Sequence, residues 1–258
     1  MQTHVAFKAL RTLAAAAMTL GCAGASAAPF FWTDWTGTNL DPGAPFVAQG
    51  TITTPTTTVG VTYSNSNGIG FYQPSGGIDY YTRVGAGSSP YTSALVDNRP
   101  TGTDIIALSR AGTQTLQFSE AIANPVFAFV SLNGNGYAFD QDFDILSVGG
   151  VAGHACGYWG CGGASKVVID LGGGNFEYQL NSNDIGGTEP HGTLQFRGAF
   201  QTVTWRSTSN EFWNGFTVGV QGTAIEVPVT AVPEPETYAL FAMGLAALGL
   251  VRKRRKAC

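Results

Sequence analysis

Between positions 29 and 231 no stretch repeats its apolar side chains with the helical period of about 3.6, which removes helical bundles and alternating α/β folds at the outset. Short alternating or wholly apolar runs recur instead, at 59–63, 78–84, 104–108, 115–118, 126–132 and 143–148. Further runs follow at 166–171, 176–180, 193–196, 202–206 and 216–220. Turn residues stand between them, among them Asn133-Gly134-Asn135-Gly136, Gly149-Gly150, Gly172-Gly173-Gly174 and Ile185-Gly186-Gly187. Many short strands joined by glycine-rich turns predict an all-β protein, an antiparallel two-sheet sandwich of jelly-roll kind. Positions 51–58, with Pro55, read as a threonine-rich edge segment, and 29–50 as an N-terminal strand with loops, packed by Phe30, Phe31, Trp32 and Trp35. One internal echo exists: Thr-Leu-Gln-Phe occurs at 115–118 and again at 193–196, each copy followed by another strand-like run, as two matching hairpins would be.

Charge is scarce. Only 12% of residues are charged, where about 25% is usual, and thirty-five of the 258 residues are glycine. Lys8 and Arg11 sit at one end and Arg252, Lys253, Arg254, Arg255 and Lys256 at the other. From Asp34 to Glu226 six bases face fifteen acids, a formal −9. Nucleic acid is therefore excluded as a partner, because phosphate neutralisation needs clustered Lys and Arg.

Both ends read as addresses. Lys8 and Arg11 precede the apolar run 13–20, and small residues follow to Ala25-Ser26-Ala27, the order of a secretory signal peptide cleaved after Ala27. Thr19 stands where a lipoprotein signal would carry a leucine-like residue before Cys22, so acylation is not the reading. At the other end come Val232, Pro233, Glu234, Pro235, Glu236 and Thr237, then an apolar stretch at 238–251 and the basic cluster at 252–256. Fourteen helical residues span about 21 Å, short of the ~30 Å hydrocarbon core, so they hold a membrane only marginally, helped by Tyr238 and by snorkelling of the basic residues. The positive-inside rule keeps that cluster cytoplasmic and leaves the preceding chain on the outer face.

This tail resembles that of the PEP-CTERM proteins: a Val-Pro-Glu-Pro-x-Ser/Thr motif, a short apolar helix and an Arg-rich end. The resemblance implies recognition by exosortase, a membrane-embedded cysteine peptidase, which removes the tail and passes the protein outward, often alongside exopolysaccharide production. Secretion machinery and signal peptidase are the implied earlier partners, and the inner membrane is a transient one. The proline pair holds the motif extended, as presentation to a protease requires. Cys258 departs from the usual ending and receives no role. The looser resemblance of 104–133 and 213–220 to β-rich PEP-CTERM ectodomains brings no assigned activity. The organisation expected is thus a signal peptide over 1–27, a β-sandwich ectodomain over 28–231, and a sorting signal over 232–258.

Within the ectodomain Cys156 and Cys161 are an even pair in an exported chain, which predicts a disulfide closing Gly157-Tyr158-Trp159-Gly160. His154 is too isolated for a metal site, and the second cysteine argues against a catalytic Cys156. His191, in Glu189-Pro190-His191-Gly192, is expected to pack or bond at a turn.

Asp140, Asp142 and Asp144 alternate, so an extended backbone would put three carboxylates on one side; the readings are a solvated strand face or a calcium site completed elsewhere. Tyr158, Trp159 and Trp213, the last near Asn210 and Asn214, read either as core rings or as flat contacts for a glycan. Glu177, Glu189 and Glu211 lie among aromatics, but a glycosidase reading needs separations in space. Gly172-Gly173-Gly174 lacks the spacing of a nucleotide loop. With no catalytic set marked, the chain is expected to be a non-enzymatic cell-surface or extracellular-matrix protein, structural or adhesive in an exopolysaccharide or biofilm matrix. The alternative is a carbohydrate-binding module or glycan-active enzyme carried by the same tail.

Overall fold

The computed structural model describes residues 29–37, 40–82, 85–183 and 189–227. The chain forms β1 (Phe31–Trp32), β2 (Asp34–Thr36), β3 (Phe46–Thr53), β4 (Thr58–Asn65), β5 (Phe71–Gln73), β6 (Ile105–Leu108), β7 (Gly112–Ala123) and β8 (Val126–Val130). There follow β9 (Gly136–Phe139), β10 (Phe143–Val148), β11 (Ala164–Gly172), β12 (Asn175–Ser182), β13 (Gly192–Phe196), β14 (Ala199–Ser207) and β15 (Asn214–Val220). All the ladders are antiparallel. Among the described residues there is no helix, and so none long and apolar enough to cross a membrane.

Two sheets make the sandwich. One runs β10-β13-β8-β15-β6-β5, with β1 also paired to β15; the other runs β11-β12-β9-β14-β7-β4-β3-β2. Their strands differ in pattern because their outer faces differ. In the eight-stranded sheet β3 and β4 alternate buried and exposed positions, as strands with one wet face do. Strands β6, β8, β13 and β15 are buried at every position. Their second face is covered by the 74–104 connection, whose Tyr80, Tyr81, Tyr91 and Val96 pack with Phe30, Trp32, Ile105, Val126, Ala128 and Val130. The molecule thus has a third, irregular layer over the seven-stranded sheet.

Between the sheets lies the main core, with Trp205 at its centre: its ring sits 5.0 Å from Phe216 and 5.4 Å from Phe127, both edge to face. Truncating a buried ring of this size typically costs about 3–5 kcal/mol. The repeated Thr-Leu-Gln-Phe segments fall in opposite sheets, on β7 and β13, and aim Leu116, Phe118, Leu194 and Phe196 into this shared core from its two sides.

The structure corrects the sequence reading in three places. Positions 78–82 form turns in the covering layer, because Tyr80 and Tyr81 bury themselves against the sheet face without joining a ladder. The edge segment at 51–58 is a hairpin instead: β3 continues to Thr53, and Thr54 Oγ1 accepts the amides of Thr56 (3.3 Å) and Thr57 (3.1 Å) to turn the chain into β4. Strand β9 starts within the Asn-Gly repeat, where Asn135 Oδ1 accepts the Gly136 and Ser209 amides at 2.7 and 3.0 Å and fixes the entry.

Candidate functional site

The disulfide turn is built from the inside out. Cys156 and Cys161 are bonded, their Cα atoms 4.6 Å apart. Within the loop Gly157 and Gly160 exchange both backbone hydrogen bonds, at 2.9 and 3.2 Å, which leaves Tyr158 and Trp159 at the tip. His191 supports the loop from beneath. Its ring is wholly buried, and a Cβ on Gly157 would fall 2.1 Å from it, so only glycine fits there. The Trp159 amide donates to His191 Nε2 (3.4 Å), which fixes the ring proton on Nδ1; that proton is donated to the Tyr91 hydroxyl (3.1 Å). Tyr91 in turn donates to the Tyr80 carbonyl at 3.4 Å. Burial pushes the His191 imidazolium down to about 3, so the ring is a neutral strut at physiological pH.

From Trp159 a continuous row of rings crosses to the next loop. Trp159 lies 5.0 Å from Tyr158, Tyr158 lies 5.3 Å from Tyr80, Tyr80 lies 5.0 Å from Trp213, and Trp213 lies 5.1 Å from Phe71, all edge to face. Such contacts stabilise by about 0.5–1.5 kcal/mol each beyond simple burial. Tyr80 is buried, Phe71, Tyr158 and Trp213 are half-buried, and Trp159 is 50% exposed, so the row emerges as a ridge. Tyr158, Trp159 and Trp213 are thus brought together, and Tyr80, which sequence reading placed in a strand, is the ring that joins them. The amides near Trp213 are not free to meet a ligand. Asn214 is buried, takes the Tyr137 hydroxyl and donates to Glu211 (2.8 Å), while Asn210 accepts the Ala111 amide at 2.8 Å.

The carboxylates separate into distinct settings. Glu177, on β12 in the other sheet, pairs with Arg206 at 3.0 Å. Its pKa is lowered, chiefly by the hydrogen bond from Gln179 and further by Arg206. Glu189 takes the Ser131 hydroxyl at 2.5 Å. Glu211 accepts the Asn133 amide (2.9 Å), yet burial pushes its carboxyl up to about 7, with the Glu189 charge adding to the rise. His154 binds Ser88 Oγ (3.1 Å) and Ser89 O (2.9 Å) through Nδ1, and the oxidised Cys156 offers it no thiol.

The three alternating aspartates are not gathered into a calcium site. Positions 140–142 precede β10 as a turn, so the extended backbone that would align them is absent. Asp142 is held by Lys166, and Asp144 by Arg197 at 2.5 Å. Among the described residues no three Asp, Glu, His or Cys side chains converge on a metal position.

A site without a sequence signal lies where the third layer meets β2. A cavity of about 210 Å³ is lined by Trp32, Asp34, Pro100, Gly102, Asp104 and Thr217 among others. Asp104 accepts the Trp35 amide at 3.0 Å and is pushed up to about 6, first by burial and then by the neighbouring Asp34 carboxylate. Trp32 Nε1 and Thr217 Oγ1 are buried without a hydrogen-bond partner among the described residues. Asp34 and Asp104 stand seventy positions apart, which is why spacing along the chain gives no sign of the pair.

The signal peptide, the sorting residues Val232, Pro233, Glu234, Pro235 and Thr237, and the apolar segment at 238–251 lie outside the described residues. Comparison with known proteins reaches the tail by sequence. No curated protein matches the chain, and no solved structure does. A family model for the PEP-CTERM protein-sorting motif matches residues 231–256. That match implies an exported protein, anchored by its tail until exosortase processes it. Behind its all-β ectodomain, the chain thus carries a PEP-CTERM sorting signal.

Proposed function

We propose that the released ectodomain is a non-enzymatic adhesive component of an exopolysaccharide-rich surface matrix, and that its aromatic ridge is the contact with polysaccharide. The observation that carries this reading is the placement of Trp159: a large flat ring, half exposed, on a turn closed by a disulfide and buttressed by His191. A rigid ring loses little conformational freedom on binding, so most of its contact area contributes to affinity. The row behind it, through Tyr158 and Tyr80 to Trp213, supplies an apolar base of the kind that sugar faces stack on. The low charge of the domain also suits contact with hydroxyl-rich polymers better than with ionic partners.

Affinity electrophoresis in gels containing the host's exopolysaccharide tests this. Trp159→Ala is expected to weaken retardation at least about tenfold, since a central tryptophan anchor commonly carries 2 kcal/mol or more. Retardation unchanged by Trp159→Ala removes the ridge from the contact. The competing enzymatic reading draws on Glu211, a carboxyl raised to about 7 and close enough to Glu189 to feel its charge. Release of reducing ends that disappears in Glu211→Gln would replace adhesion with glycan cleavage.

A further inference from the structure

The far edge of the eight-stranded sheet is left open. Strand β11 pairs with β12 and with no other strand among the described residues. Beyond it, β9 supports β12 only along Tyr178 to Asn181. The remainder of the β11–β12 hairpin therefore extends past the sandwich as a two-stranded ribbon, a form that is marginal in water on its own. The side chains of this hairpin are not those of a solvated edge: Val167 and Val168 beside the supported stretch, and Ile169, Leu171 and Phe176 in the ribbon, are between 36% and 63% exposed. Edge strands are normally blunted by central lysines, prolines or bulges. Here the middle of the edge is Val167-Val168-Ile169, with Lys166 before it and Asp170 after.

That order is self-complementary. An antiparallel partner strand of the same sequence, related by a twofold axis at Val168, puts Val168 opposite Val168, Val167 opposite Ile169, and Lys166 of each copy opposite Asp170 of the other. A slip of one position either way about that axis breaks both charge pairs and faces each charge with an apolar or small residue. In a sheet, opposite charges facing across a ladder stabilise by about 0.2–1 kcal/mol, and β-branched pairs add similar amounts. Lys166 already lies over the Phe143 and Tyr178 rings, 5.3 and 5.5 Å from their centres, and holds Asp142, so it is in place at the sheet edge rather than free in solvent.

We propose that β11 is a self-association edge: two copies of the chain join antiparallel through it about Val168, in the register that pairs Lys166 with Asp170, forming one sheet across two molecules. The whole of β11, nine residues in each copy, would take part. The tip of each ribbon would then rest against the base of the other molecule, covering the apolar side chains the monomer leaves wet. Such an isologous contact closes on itself and yields a dimer rather than a fibre. It also presents two aromatic ridges on one particle, raising avidity for a repeating polymer without any new contact to it.

Cysteine cross-linking of the full chain in its native envelope tests the edge and its register together. The bond from the Asn183 amide to Gly163 O sets the alternation along β11 so that Val168 turns its N–H and C=O to the open edge; facing its copy there as a hydrogen-bonded pair, it has its Cα about 5.5 Å from the other, within disulfide reach. Val168→Cys is expected to give a band at dimer mass on a non-reducing gel, while the wild-type chain and Ile169→Cys remain at monomer mass. Adding Asp170→Lys to Val168→Cys sets Lys opposite Lys and is expected to reduce the band at least about tenfold; adding Lys166→Asp as well restores opposite charges and the band. No band from Val168→Cys, or an equal band from Ile169→Cys, overturns the proposal. A band indifferent to both charge changes overturns the register on which it rests.

Discussion

His191 is a neutral imidazole whose two nitrogens both do structural work, one accepting from the Trp159 amide and the other donating to Tyr91. Its pKa falls from 6.5 to about 3 on burial, whereas Glu211 rises from 4.5 to about 7 and Asp104 from 3.8 to about 6. These shifts pull stability in opposite directions. A carboxyl with a raised folded-state pKa favours folding when protonated; that contribution is complete below its unfolded pKa and is lost as pH rises through the folded value. A histidine with a depressed pKa favours folding while neutral, and its contribution is lost as pH falls below 6.5 towards 3. Between about pH 8 and 6.5 only the carboxyls act, so the melting temperature is expected to rise as pH is lowered through that window. Glu211→Gln should flatten this rise, and His191→Gln should let it continue to about pH 5. Thermal melts across the range check it; a wild-type curve level from about pH 8 to 6.5 would refute the role given to Glu211. Residues of this kind differ in how far sequence exposes them. Tyr158 and Trp159 stand out because a cysteine pair and flanking glycines force a tight turn that cannot bury both rings. Asp104 does not, since what raises its pKa is burial and a carboxylate from β2, and neither is local to it.

Among the elements, strands with one wet face were legible and those in special surroundings were less so. Alternation marks β4 because its odd side chains meet the core and its even ones meet water or the sheet surface. The apolar run at 126–132 holds a strand, β8, that stops at Val130, but nothing in it tells which layer covers its second face. Strand β9 was hidden inside an Asn-Gly repeat that normally signals a turn, and the covering layer at 74–104 has no period because it packs by individual tyrosines. The disulfide turn is the element most open to a direct test. In the chain-entropy view a loop this short yields only about 2 kcal/mol, or roughly 4–8 °C of melting temperature in a domain of this size. Replacing Cys156 and Cys161 by serine is expected to cost that much in a calorimetric scan and to weaken polysaccharide retardation further than the lost stability accounts for, because the turn that presents Trp159 loosens. A variant that melts early yet binds normally would separate the disulfide from the ridge.

For the molecule as a whole, the sorting tail was the most legible part and the ectodomain's work the least. An address read by a peptidase must be carried by a short linear segment, so it survives in sequence alone; an aromatic ridge assembled from Phe71, Tyr80, Tyr158, Trp159 and Trp213 exists only after folding. Processing at both ends is open to intact-mass measurement on protein recovered from the host's medium and envelope. The expected species lacks residues 1–27 and everything beyond about Glu234. Recovery solely of chains that retain the basic end at 252–256 would make the protein a lasting membrane resident and remove the matrix reading.

The manner in which the domain joins its tail also sets how it bears force. Just ahead of the tail, the Ala224 amide bonds to Ala121 O at 2.8 Å, Glu226 takes the Thr54 hydroxyl at 2.8 Å, and Thr223 bridges to Ile122. Behind this clip the chain enters β15, which has β8 on one flank and β6 and β1 on the other. A tug on a domain tethered by its C-terminus therefore first meets a latch and then a strand locked in the middle of a sheet, with no free margin from which to unzip. While the tail holds it at the membrane, the ectodomain is hitched by one of its most firmly gripped strands.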